Sequence, residues 1–223
     1  AVVLRLYGTF VAAPQWNKDE QYLPIMCELE CVATAEEVKK LSADELNARI
    51  HRAMQRDDYA YQREQGILLK NPRRANGLHN ILYQCPHCGT EFKMESSGTR
   101  LWCTACGKGW QMTELSELVA EEGETEFSHI PDWMAWERQN VRAEVRSGSY
   151  RFEDDVTVHT LPNAKRFYDQ GMGRLIQTPE GTRLVCTAYG EPRELFWAGT
   201  ELESVHGEYD YPYRKDKYKK NIF

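Results

Sequence analysis

Two Cys-x-x-Cys pairs constrain this chain more than any other feature. The first is Cys85-Pro86-His87-Cys88, followed by Gly89; the second is Cys103-Thr104-Ala105-Cys106, followed by Gly107. Two cysteines three apart on a tight turn can aim both sulfurs at one point. The glycine after each pair permits the left-handed backbone that closes such a turn. Four thiolates make a closed tetrahedral set, the donor chemistry of one structural zinc ion per chain at Cys85, Cys88, Cys103 and Cys106. Such a set leaves no coordination position for substrate, so no catalytic residue is expected there. Between the pairs the sequence reads as a hairpin, with strands at 91–94 and 99–102 and a turn at 96–98. Trp110 and Phe92 are expected to cover the metal. His87 is a poor fifth donor, and nothing nearby has the βαβ pattern of a thioredoxin-like redox site.

The remaining cysteines, Cys27, Cys31 and Cys186, bring the total to seven. An odd count split four and three fits a metal site in a reducing, cytoplasmic setting better than a disulfide framework. No apolar run approaches the roughly 18 residues of a membrane span, and no secretory signal opens the chain. Net charge is −6. Across 81–127 eight glutamates face only Lys93, Arg100 and Lys108. Phosphate binding needs the opposite sign, which makes nucleic acid an unlikely partner.

Residues 2–7 read as a buried strand. Residues 25–32 alternate, placing Cys27 and Cys31 with Ile25 and Leu29 on a core face, too far apart along the strand to share one ion. Thr34 with Glu37 and Ser42 with Glu45 are capping boxes. The second opens a helix expected to run about five turns through Tyr61. The acidic run at 116–126 reads as a linker or charged helix end. Ile130-Pro131-Asp132 starts another helix with Met134, Val141 and Val145 on its inner face. Trp133 and Trp136 read as core residues of that helix rather than a membrane belt. From Val156 onward short alternating strands are separated by turn signals, among them Pro179-Glu180-Gly181. The chain begins without Met and ends in Lys219-Lys220-Asn221-Ile222-Phe223. It is therefore expected to be a piece of a longer protein. Its basic, tyrosine-rich tail, from Tyr209 to Lys220, reads as a solvated loop.

The runs Arg74-Ala75-Asn76-Gly77-Leu78 and Ile81 through Gly89, with Gly123 through Trp133 and Ala135-Trp136-Glu137-Arg138, resemble a bacterial family. It is the 1-acyl-glycerol-3-phosphate (lysophospholipid) acyltransferase family, in the variant with a zinc ribbon and a β-rich tail behind the catalytic domain. The resemblance is tight over about 70–140 and loose at both ends. It implies an α+β chain in four parts: the end of an α/β acyltransferase domain at 1–70, a zinc ribbon at 71–115, an acidic linker and connecting helix at 116–150, and an incomplete antiparallel β-rich domain at 151–223. It also implies a lysophospholipid and an acyl donor as partners, and peripheral contact with the inner face of the cell membrane. The family's His with Asp five positions later is absent. Arg56, Gln84, Phe92, Met134, Ala164 and Tyr211 stand five after the six histidines. The chain alone is therefore expected to be inactive, with the catalytic pair lying outside it. Glu180-Gly181-Thr182-Arg183 matches the family's phosphate motif in letters, but its place between strands behind the ribbon marks it as a turn. A stand-alone zinc-ribbon module binding protein or nucleic acid is the alternative reading.

Overall fold

The computed structural model describes residues 1–17, 19, 21–163 and 165–201. The fold mixes helices with antiparallel sheets, and strands predominate. The chain divides into two compact units between Glu137 and Arg138. The basic tail lies outside the described residues.

The first unit opens with a ribbon of β1 (Val2–Tyr7) and β2 (Met26–Cys31), in which Val2 faces Cys31 and Tyr7 faces Met26. The short helix α1 (Thr9–Ala12) follows β1. One face of the ribbon packs on helices. Tyr7 stacks on Tyr61 at 4.6 Å, and the Arg5 guanidinium donates to the Ala53 carbonyl at 2.8 Å. The other face, carrying Val2, Leu4, Leu6, Cys27, Leu29 and Cys31, is exposed. This corrects the expectation of a buried first strand and of core cysteines at 27 and 31. Leu4 and Leu29, paired across the ribbon, are 56% and 70% exposed. Period-two alternation groups the apolar side chains on one face; what covers that face depends on neighbouring elements.

Both capping boxes form, at Thr34–Glu37 before α2 (Ala35–Val38) and at Ser42–Glu45 before α3 (Ala43–Met54). The expected five-turn helix is broken. Gln55 turns extended, and Asp57 accepts from the N–H groups of Tyr59 and Ala60 to start α4 (Asp58–Glu64). An aspartate that caps two orphan donors stabilises a new helix start by about 1 kcal/mol, enough to favour a break over continuation.

A second sheet is a meander of β3 (Met94–Ser97), β4 (Arg100–Cys103), β5 (Gly109–Met112) and β6 (Leu118–Ala120). The expected first strand at 91–94 is shifted toward the C-terminus. Residues 90–92 instead bond back to the first cysteine turn, Cys85 N–H to Thr90 O and Phe92 N–H to Tyr83 O. The acidic run is not a linker throughout, because Leu118 buries completely and carries β6 into the sheet. Helix α5 (Ile130–Ser147) begins beneath this core, with Ile130 and Trp133 fully buried and Trp136 packed against it. Each such large apolar side chain contributes about 1.5–3 kcal/mol by leaving water. The inner face of α5 is shorter than expected. Met134 packs on the core, but Val145 is 44% exposed.

The second unit holds a longer meander of β7 (Phe152–Thr160), β8 (Tyr168–Thr178), β9 (Gly181–Ala188) and β10 (Glu191–Ala198). Val156, Val158, Cys186 and Ala188 gather on one face. Ion pairs of Arg174 with Glu153 and Asp155, and of Arg183 with Glu194, line the other. Thr178 pairs with Gly181, so Pro179-Glu180 forms a two-residue hairpin turn. Gly181 has φ +153°, and a Cβ there would lie 2.1 Å from the Trp197 carbonyl oxygen. The close approach of β10 therefore requires glycine at this position. No helix among the described residues is long and apolar enough to cross a membrane.

Candidate metal centre

Cys85 and Cys88 lie on the turn before β3, Cys103 ends β4, and Cys106 lies on the turn into β5. Each turn closes through the glycine after it. Gly89 N–H donates to Cys85 O at 2.8 Å with φ +73°, and Gly107 N–H to Cys103 O at 2.9 Å with φ +82°. The two turns thus repeat one geometry, and the β3–β4 hairpin carries the second onto the first. All four sulfurs lie within 4.8 Å of one another. Cys85 Sγ is 3.8 Å from Cys106 Sγ, and Cys88 Sγ is 3.8 Å from Cys103 Sγ. A tetrahedron with metal–sulfur bonds of about 2.3 Å has edges of about 3.8 Å. The set therefore has the spacing and donor chemistry to hold one metal ion. Among the described residues it is the one cluster of three or more His, Cys, Asp or Glu that brings its ligand atoms so close.

Without metal, the four thiols differ. Cys85 and Cys103 are buried, Cys88 and Cys106 exposed. Burial pushes the Cys85 and Cys106 thiols up. At Cys88 burial acts in the same sense, but the Thr90 hydroxyl and backbone N–H outweigh it and hold the thiol at about 6. One ligand is thus ready as a thiolate near neutral pH, and a bound cation would deprotonate the others.

The shell around the cluster contains residues whose part the sequence did not reveal. Glu126, from the acidic run, joins both turns. Its carboxylate lies 3.2 Å from His87 Nδ1 on the first and 3.2 Å from Lys108 Nζ beside the second, and it accepts from Trp110 Nε1 at 3.2 Å. Burial pushes the Glu126 carboxyl up, but its own backbone N–H, Lys108 and Trp110 hold it below the usual carboxylate range. His87 therefore faces a carboxylate rather than acting as a fifth ligand. Phe92 stacks on Tyr83 at 5.2 Å and is 38% exposed, whereas Trp110 is fully buried in the core that also holds Cys85 and Cys103. Helix α5 grips the peptide before the first ligand. Gln84 N–H donates to the buried Glu137 carboxylate at 2.9 Å, and Trp133 Nε1 donates to Gln84 O at 3.0 Å. A Glu and a Trp four apart on a helix were the only sequence signal for this clamp.

One pair resembles catalytic machinery and is not. His129 Nε2 lies 2.6 Å from Asp57 Oδ2, and His129 Nδ1 lies 2.8 Å from the Arg63 guanidinium. Arginine only donates, so Nδ1 accepts and Nε2 carries the proton given to Asp57. Both ring nitrogens are engaged, and neither is free to take a proton from a substrate. The pair ties the start of α4 to the start of α5. Cys27 and Cys31 lie on the exposed ribbon and Cys186 in the second unit's sheet, all apart from the cluster.

The fold and site together define a four-cysteine ribbon with metal-binding geometry. Comparisons with protein-family models, curated proteins and solved structures found no match.

Proposed function

We propose that the chain is the rear, zinc-ribbon-bearing part of a bacterial acyltransferase that acylates the hydroxyl of a lysophospholipid such as 1-acyl-glycerol-3-phosphate. Residues 1–70 are then the closing part of its catalytic domain, and the metal is one structural zinc ion per chain. The complete enzyme works in the cytoplasm, peripherally at the inner face of the cell membrane. One observation carries the reading. The two stretches that resemble the family, 74–89 and 123–138, are the stretches that grip each other: Gln84 is held by Trp133 and Glu137, and His87 by Glu126. That mutual packing supports reading the two stretches as one structural unit of the family they resemble.

In this reading the chain's own residues bind metal, order the ribbon and brace the start of α5. Proton removal from the acceptor hydroxyl falls to a His–Asp pair outside the chain. The zinc supplies cross-linking between the two turns and no reactive position. The test is acyl transfer to lysophosphatidate by the complete polypeptide, with the 223-residue chain assayed beside it. Transfer is expected from the complete polypeptide and none from the chain alone. A zinc-loaded complete polypeptide without transfer, or without His-x-x-x-x-Asp ahead of residue 1, would count against the proposal.

A further inference from the structure

We infer that Arg138, Arg142 and Arg146 form a stripe on α5 that docks on the anionic headgroups of a phospholipid bilayer. The inference rests on the lipid reading above and names the surface through which it would reach its membrane.

Residues four apart on a helix are stacked neighbours, each step rising about 6 Å and turning about 40°. The three guanidinium groups therefore form one row about 12 Å long between first and last residue. All three arginines are exposed, and among the described residues none of them makes an ion pair. The contrast lies within the same unit, where Arg151, Arg174 and Arg183 are each paired with a carboxylate. From 138 to 151 four arginines face Glu144 alone, in a chain whose net charge is −6. The positive row is thus a local reversal of the chain's charge.

Its flank gives the partner's chemistry. Val145, three residues after Arg142, is 44% exposed, and Val141 beside it is half-buried. An arginine row edged by valines suits a headgroup layer, where guanidinium groups meet phosphates while their stems and the valines lie toward the acyl boundary. Nucleic acid offers phosphate without that apolar boundary, so the exposed valine beside the row favours a bilayer over duplex DNA. Each arginine near an anionic leaflet contributes about fivefold in partitioning, so three contribute about a hundredfold, weakened by salt.

The experiment is co-sedimentation of the full chain with vesicles of phosphatidylglycerol and phosphatidylcholine, and with phosphatidylcholine alone. Binding is expected to the anionic vesicles only, and to fall as salt rises. The Arg138→Gln/Arg142→Gln/Arg146→Gln variant should lose about a hundredfold in partitioning while keeping its circular dichroism. The charge-matched control Arg52→Gln/Arg166→Gln/Arg193→Gln should keep most of it. Equal loss in the control, no binding by the wild-type chain, or tighter binding to duplex DNA than to anionic vesicles would overturn the inference. Acyl transfer to micelle-dispersed acceptor by the complete polypeptide reads the enzyme proposal separately. Transfer without vesicle binding sinks only the stripe; vesicle binding without transfer sinks only the enzyme.

Discussion

The chain contains two four-stranded antiparallel meanders, and they bury their apolar residues very differently. The ribbon sheet β3–β6 has strands of three or four residues, yet Leu101, Trp110 and Leu118 are fully buried. The sheet β7–β10 has strands of 8 to 11 residues, yet its most buried apolar side chains, Val156, Val158, Cys186 and Ala188, remain 8% or 9% exposed. Leu195 and Trp197 on β10 are 42% and 37% exposed. Strand length therefore does not make a core. The short sheet is covered on its inner face by Trp133 and Ile130 of α5, and its turns converge on one four-thiol cluster. Among the described residues the long sheet is held by its ladder and by exposed ion pairs.

The comparison breaks most sharply at the metal. Structural zinc in small ribbons contributes about 10–16 kcal/mol of apparent binding energy, which is also folding energy. If the cluster holds the proposed zinc, chelation or Cys103→Ser should therefore unfold the region around β3–β6 and release the metal. Amide hydrogen exchange should then show protection lost in residues 81–120 and kept across β7–β10, which supplies no ligand to the cluster. Zinc retained at one equivalent in Cys103→Ser, measured by elemental analysis, would refute the ligand set. Cys27→Ser, Cys31→Ser and Cys186→Ser should leave zinc content unchanged.

How much of this was legible follows from which interactions are local. The cysteine spacing with its two glycines states a local turn twice, so the cluster could be read directly. Both capping boxes, the Pro179-Glu180 turn and the antiparallel second unit were readable for the same reason. Coverage was not. Nothing within 2–7 or 25–32 says that helices pack on the Tyr7 face and leave the Leu4 face open. Glu126 looked like one charge in an acidic run because its partners His87, Lys108 and Trp110 lie 16 to 39 residues away. Asp57 looked like part of a solvated helix face because its partner His129 is 72 residues distant.

The Asp57–His129 tie sharpens the comparison at an intermediate size, since its side chains are 37% and 17% exposed against 50% and 56% for the Arg183–Glu194 pair of the second unit. Burial pushes the Asp57 carboxyl up, but the Ala60 and Tyr59 N–H groups and His129 outweigh it and hold the carboxyl below its ordinary value. A carboxyl lowered by folding adds stability above its unfolded value of about 3.9. That stability disappears as pH falls through the lower folded value. Asp57→Asn keeps a good cap but turns a donor toward His129 Nε2–H. If the imidazole switches tautomer to accommodate it, the proton moves to Nδ1 and confronts Arg63. A loss of about 1.5–3 kcal/mol is expected, the worth of a charge-assisted bond. Denaturant melts of the first unit should show it at neutral pH, and the difference from wild type should shrink on acidification. An unchanged midpoint would mean the tie is decorative.

The smallest effect is expected at Arg183, where the motif in letters and the geometry disagree. Arg183 points from β9 toward β10, paired with Glu194, and its guanidinium lies 5.7 Å from the Phe196 ring centroid. Both charged side chains are at least half exposed, 50% and 56%. An exposed pair of this kind contributes about 0–1 kcal/mol, with a similar small contribution from the ring. If Glu180-Gly181-Thr182-Arg183 cradled a substrate phosphate, Arg183→Ala in the complete polypeptide would remove a charge-assisted contact. The acceptor KM would then rise about ten- to a hundredfold, for a loss of about 1.5–3 kcal/mol. The hairpin predicts otherwise. Glu180 belongs to a two-residue turn, Gly181 is required by the Trp197 carbonyl, and Arg183 is already engaged by Glu194 and Phe196. Arg183→Ala should lower the stability of the β7–β10 sheet by at most about 1 kcal/mol and leave the acceptor KM within twofold, an order-of-magnitude bound for a residue that touches no substrate. Steady-state kinetics of that variant against wild type decides between them, because a tenfold rise in KM would show that the turn is a phosphate site after all.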